Sequence, residues 1–229
     1  MNMKVTIDGP CGSGKSTVAR ELAGRLEFDY LDTGAMYRAV TWKAVEEEVD
    51  LEGSPDSIIR IAGDIRIDFH PAADGRRVLC DGRDVTLAIR SPEVTRMIKY
   101  VADVPQVREA MVRLQRRYAE REGDIVTEGR DQGSVVFPDA EVKFYLDADV
   151  RTRAKRRMED FRRRGIECEL REVIADIRER DRADRERPVG GLRCTDSMIV
   201  VDSTDKGVEQ VVEIMAEIVS QVETGSSES

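Results

Sequence analysis

Gly9-Pro10-Cys11-Gly12-Ser13-Gly14-Lys15-Ser16, followed by Thr17, fits the pattern G-x-x-x-x-G-K-[ST]. The glycines let the backbone curl so that its N–H groups face a phosphate, and a helix starting there adds its positive end. Lys15 is expected to reach the β- and γ-phosphates, and the Ser16 hydroxyl to ligate Mg²⁺. Two further arginines can hold a phosphate bidentately: Arg38, behind Tyr37, and Arg130 in Glu128-Gly129-Arg130-Asp131. A third basic cluster runs from Arg151 to Arg164, where most positions read as a solvated amphipathic helix.

The elements around these residues alternate between strand and helix. Met3, Val5 and Ile7 alternate before the glycine loop; Val18, Leu22 and Leu26 then share a helical face. A short strand over Phe28–Leu31 leads into a helix over about Ala35–Val49. Ile65, Ile67 and Phe69 alternate, and Arg77 to Asp81 reads as their partner, so an antiparallel insertion is expected over about 63–90. A helical stretch from Val94 to Tyr118 is interrupted near Pro105. Ile125–Thr127, Val142–Leu146 and Met198–Val201 have the β-branched character of buried parallel strands, and Val208–Val222 reads as a closing helix. The pattern predicts an α/β fold, a doubly wound parallel sheet with helices on both faces. Residues 224–229 are expected to be a disordered tail.

Composition narrows the functional class. The 229 residues carry 46 acidic against 37 basic side chains, net −9, which disfavours general nucleic-acid binding. The four cysteines form no C-x-x-C pair and His70 is the only histidine, so no zinc or disulfide framework is expected. Neither a leader nor a membrane span is read, and the expected compartment is cytoplasmic. The base-reading [NT]KxD motif of a GTPase is absent, since Thr204-Asp205-Lys206 has the wrong order. A chain that supplies its own arginines points to a small-molecule kinase. Two alternatives stay open: a kinase for another acceptor such as UMP or a metabolite hydroxyl, and a nucleotide-gated regulatory or nucleic-acid-associated protein.

The segments IDGPCGSGKST, LDTGAMYR, VPQVREAM, EGRDQGSVVFPDA and RERDRADRERP together resemble the bacterial cytidylate kinase family along nearly the whole chain. The resemblance implies a single P-loop kinase domain over 1–229 with a five-stranded parallel sheet. Its nucleoside-monophosphate-binding region spans 34–108, with the small antiparallel insertion inside it, and its helical lid spans 150–166. It implies phosphoryl transfer from ATP, with Mg²⁺, to CMP and dCMP. A site complete within one chain favours a monomer, and no nucleic-acid or membrane partner is expected. Arg38 and Arg130 would grip the acceptor phosphate. Asp131 would accept from the exocyclic amine of cytosine while Arg108 and Arg187 donate to the ring acceptors. Thr33 and Tyr37 belong to the same pocket, Arg180 and Asp184 to the sugar contacts. Lys99 stands near the pentose where the family carries a small hydroxyl residue. Arg153 and Arg157, spaced R-x-x-x-R, are the lid candidates alongside Lys15 and Arg130 in catalysis. Glu128 is a candidate to orient magnesium waters, with a purely structural carboxylate as the alternative.

Overall fold

A computed structural model describes residues 2–72, 75–163 and 165–226. In chain order the elements are β1 (Lys4–Asp8), α1 (Lys15–Leu26), β2 (Asp29–Asp32), α2 (Thr33–Glu46), α3 (Pro55–Asp64), β3 (Ile67–Ala72), β4 (Gly75–Cys80) and β5 (Arg83–Asp84). After a 3-10 turn at Ala88–Arg90 come α4 (Pro92–Ala102), α5 (Pro105–Glu122) and β6 (Ile125–Gly129). A π-helical turn at Gln132–Val136 precedes β7 (Val142–Asp147), α6 (Val150–Arg163), α7 (Leu170–Glu186), β8 (Ile199–Asp202) and α8 (Val208–Ser226). The chain folds as two compact units, Met1–Leu31 with Tyr118–Ser229, and Asp32–Arg117.

The first unit is built on a five-stranded sheet in the order β2-β6-β1-β7-β8. Strand β1 is central, pairing parallel with both β6 and β7, and β7 pairs parallel with β8. The inner strands β1, β6 and β7 are covered by helices, which is why they read as short β-branched runs, whereas β8, expected to be a buried strand, lies at the sheet edge and leaves Ile199 and Val200 exposed. Val5, Ile7, Val126, Phe144 and Leu146 are buried against Leu22 of α1 and Met215 of α8. The register pairs Asp8 with Gly129, so the loop after β1 and the turn after β6 leave the sheet side by side at its carboxyl edge. That edge is where open α/β sheets place their ligands. Helices α6 and α7 pack through Ala154, Val173 and Ile177, with Val150, Met158 and Phe161 around them.

In the second unit α2 packs on α4, and β3-β4-β5 form an antiparallel sheet with Phe69 opposite Val78 and Leu79 opposite Asp84. Side-chain caps set the helix starts. Asp32 accepts from the Ala35 N–H at 2.9 Å, and Ser91 from the Val94 N–H at 3.2 Å ahead of a proline at the first position.

Several boundaries differ from the sequence reading, and the helix expected over about Ala35–Val49 runs over Thr33–Glu46. The insertion begins at Ile67, because Ile65 caps the helix α3, whose apolar side buries Ile58 and Ile61. Period-3.6 and period-2 patterns overlap there, and the helix wins because Pro55 starts it. Residues Ala88–Arg90 turn as 3-10 helix. The polar end expected to be disordered from Thr224 is helical as far as Ser226, and residues 227–229 lie outside the described residues.

Candidate active site

The phosphate loop is held tightly at both ends. A Cβ at Gly9 would sit 2.1 Å from the Leu146 carbonyl oxygen, so the chain can leave β1 only without a side chain there. Gly14 caps α1 with φ of 96°, a left-handed conformation natural to glycine, and brings no side chain to block the helix N-terminus. Lys15 is buried, its Nζ donating to the Pro10 carbonyl at 2.8 Å and lying 3.5 Å from Ser13 Oγ. Burial, then the neighbouring Arg130 charge, lowers its pKa to about 8. Ser16 Oγ donates to Glu128 Oε1 at 2.9 Å, placing a hydroxyl and a carboxylate together beside the loop.

Asp8, the last residue of β1, was not singled out from the sequence. Its carboxylate accepts from the backbone N–H of Gln132 at 2.9 Å and of Gly133 at 2.8 Å. It thereby fixes the turn that carries Arg130 and Asp131 against the strand that feeds the phosphate loop. Burial pushes the Asp8 pKa up to about 6, outweighing the two N–H donors that lower it. A folded pKa above the unfolded 3.8 means the folded state holds the extra proton. This contribution is present below the unfolded pKa and lost as pH rises through the folded one. The difference amounts to about 3 kcal/mol. Wild-type stability should therefore fall relative to Asp8→Asn between about pH 4 and about pH 7, which denaturant titrations of both proteins across that range measure.

Arg130 Nε donates to Asp184 Oδ2 at 2.6 Å and its Nη1 to the Gly129 carbonyl at 3.2 Å. Arg187 Nη2 reaches the other oxygen of Asp184 at 3.1 Å. Burial works to raise the Asp184 pKa, yet Arg130 and then Arg187 hold it below the usual carboxylate range. Burial likewise opposes the Arg130 charge, and Asp184 overcomes it, so the guanidinium stays charged. Asp131 is buried alongside. Arg180, one helical turn before Asp184 on α7, lies 3.5 Å from Asp176 at its Nε.

The two R-x-x-x-R arginines part company. Arg153 is buried, with its guanidinium bonded to the carbonyls of Ala148 and Cys11 and to Asp181. Arg157 turns its Nη1 toward Cys11 Sγ at 3.8 Å and its Nε toward Asp176 at 3.8 Å. Arg156, not named beforehand, donates to the carbonyls of Ser13 and Ser203 at 3.3 and 2.6 Å. Neither Arg156 nor Asp181 stood out, because both sit in runs of similar charged residues and only the fold selects among them.

In the second unit Thr33 is buried, and Arg38 Nη1 donates to Thr95 Oγ1 at 2.9 Å and approaches the Ile89 carbonyl at 3.5 Å. The Arg108 guanidinium lies over the Tyr37 ring at 5.5 Å and reaches the Ala102 carbonyl at 3.4 Å. Lys99 Nζ lies over the Tyr100 ring at 4.6 Å, one turn along α4 from Thr95. Among the described residues no cluster of three or more His, Cys, Asp or Glu could hold a metal by itself. No helix there is long and apolar enough to cross a membrane.

Comparison with known proteins bears on the whole of this arrangement. The family described as cytidylate kinase matches residues 5–221. A cytidylate kinase of Pelotomaculum thermopropionicum is 45% identical over 225 residues, covering 98% of this chain and 97% of its own. One of Caldanaerobacter subterraneus subsp. tengcongensis is 42% identical over 219 residues, covering 96% and 95%. Among solved structures, an uncharacterized protein from Eubacterium ventriosum superposes with a TM-score of 0.54 at 14% identity, covering 96% of this chain and 99% of that one. A gluconokinase from Sinorhizobium meliloti superposes with a TM-score of 0.51 at 12% identity, covering 100% and 98%, a likeness of fold alone. A family match that takes in both units, with relatives this similar along almost the whole chain, establishes that the chain belongs to the cytidylate kinase family of nucleotide-binding phosphotransferases.

Proposed function

We propose that this chain transfers the γ-phosphoryl group of ATP to CMP and dCMP, giving ADP with CDP or dCDP. The observation that carries the reading is the Asp8 carboxylate, which joins the end of β1, and so the start of the phosphate loop, to the turn bearing Arg130 and Asp131. Donor and acceptor groups are thus built onto one sheet edge. Gly9, Pro10, Cys11, Gly12, Ser13, Gly14 and Thr17 shape the donor cradle around Lys15. Arg38 and Arg130 are assigned to the acceptor phosphate, Asp131, Arg108 and Arg187 to the base, and Thr33, Tyr37, Lys99, Arg180 and Asp184 to the rest of the nucleotide. Arg157 is assigned to the transferred group.

In the reaction an oxygen of the acceptor phosphate bonds to the γ-phosphorus while the bond from that phosphorus to the β–γ bridging oxygen breaks. The acceptor's second pKa is about 6, so its oxygen is already ionised at neutral pH and no general base is required. Catalysis reduces to alignment and charge neutralisation by Lys15, Arg130 and Arg157. Ser16 and Glu128 offer hard oxygen donors of the kind Mg²⁺ takes, the hydroxyl directly and the carboxylate through water. When bound, magnesium neutralises charge on the ATP phosphates. One chain supplies every group assigned here, which favours a monomer, and the proposed setting is cytoplasmic.

The test is ADP formation from ATP and Mg²⁺ with CMP, dCMP, UMP, dUMP and AMP offered separately, for wild type and Asp131→Asn. Uracil sets a carbonyl oxygen against the carboxylate, acceptor facing acceptor, at a penalty of about 1–3 kcal/mol. Wild type should favour CMP over UMP by roughly tenfold or more, and Asp131→Asn should bring the two within about threefold. Equal use of UMP by the wild type would remove Asp131 from base recognition.

A further inference from the structure

Cys11 lies inside the phosphate loop, yet its backbone N–H is taken by a carboxylate rather than left for a phosphate. Its N–H donates to Asp181 Oδ1 at 3.3 Å, and its carbonyl accepts from Arg153 Nη1 at 2.9 Å. The same Nη1 donates to Asp181 Oδ2 at 2.7 Å, and Arg153 Nε donates to the Ala148 carbonyl at 2.9 Å. The pair is almost dry, with side chains 7% and 4% exposed. The loop and α6 also touch directly, since a Cβ on Gly12 would lie 3.3 Å from Arg153 Cβ. A buried ion pair stabilises poorly for its cost, so one that closes around the backbone of a single residue is better explained by the geometry it fixes.

On these contacts, and resting on the functional reading above, we infer that Arg153 and Asp181 are positioning residues that set the shape of the phosphate loop from the two helices α6 and α7. The cradle for ATP then falls to the amides after Cys11. Helix α7 faces both substrates: Asp181 grips the donor loop, and Asp184, three residues on, holds Arg130 of the acceptor turn. Helix α7 thus carries one contact to each of these segments.

Three variants test the brace: Arg153→Lys, Asp181→Asn and the double variant Arg153→Met/Asp181→Leu. The double variant removes the pair without stranding a buried charge and is expected to keep the fold. Equilibrium binding of a non-hydrolysable ATP analogue is read beside steady-state KM values and melting temperatures. In the double variant the analogue's Kd and the ATP KM should rise about tenfold, and the CMP KM should stay within about threefold. Arg153→Lys keeps the charge but not the fork, and should fall between wild type and the double variant. Unchanged analogue binding in variants that melt like wild type would overturn the brace, as would equal rises in both KM values. If the double variant does not fold, Arg153→Lys decides by the same two criteria. An unmodified chain that binds the analogue but turns over no CMP would instead overturn the functional reading, which separates the two failures.

Discussion

Lys15→Met is expected to lower kcat for CMP phosphorylation by about a thousandfold while leaving the protein at least as stable as wild type. Both halves follow from the burial of the ammonium. Lys15 sits within the phosphate loop with its Nζ held by the Pro10 carbonyl, and burial together with the Arg130 charge lowers its pKa to about 8. A cation with a depressed pKa is a cost to the fold at neutral pH, here on the order of 3 kcal/mol. Its removal relieves that cost and deletes the charge proposed to meet the transferred phosphoryl group. Melting temperature and kcat should therefore move in opposite directions, the trade expected where a strained site serves function. A variant that lost activity and stability together would instead make Lys15 a structural residue.

Arg130→Met should reduce kcat/KM for CMP by about two orders of magnitude, the worth of two charge-assisted hydrogen bonds to one phosphate. The ATP KM should stay within about threefold, because nothing in the phosphate loop depends on this side chain for its shape. Stability should fall by about 2 kcal/mol, less than for a fully buried pair, because Arg187 still holds Asp184. Arg130→Lys should recover most of that stability and little of the activity, since a point charge cannot span two phosphate oxygens. Steady-state kinetics with each substrate varied, beside thermal melts, separate these effects.

Much of this site could be read from residue types and spacing alone. The glycines, Lys15 and Ser16 lie within eight positions, and their strand–loop–helix setting repeats in β1 and α1. Local patterns of that kind carry the information for their own geometry. What escaped the sequence was relational. Asp8 looked like a strand end, and only the parallel register of Asp8 with Gly129 shows that its carboxylate holds the acceptor turn. Arg153 and Arg157 look alike on one helical face, and what separates them is depth: one meets Asp181 and the Cys11 peptide, the other stays near the loop's outer side chains. Helix α3 was missed because Ile65, Ile67 and Phe69 alternate convincingly, although the first of them only closes a helix that Pro55 begins.

The proposed reaction moves the γ-phosphoryl group from ATP to the phosphate of a cytidine monophosphate. The most direct measurement follows the label from γ-labelled ATP after mixing the purified chain with Mg²⁺ and CMP, resolving the products by chromatography. Label is expected in CDP, with one ADP for each CDP and no more than a trace of labelled inorganic phosphate. Label accumulating as inorganic phosphate, with none in CDP, would contradict that transfer.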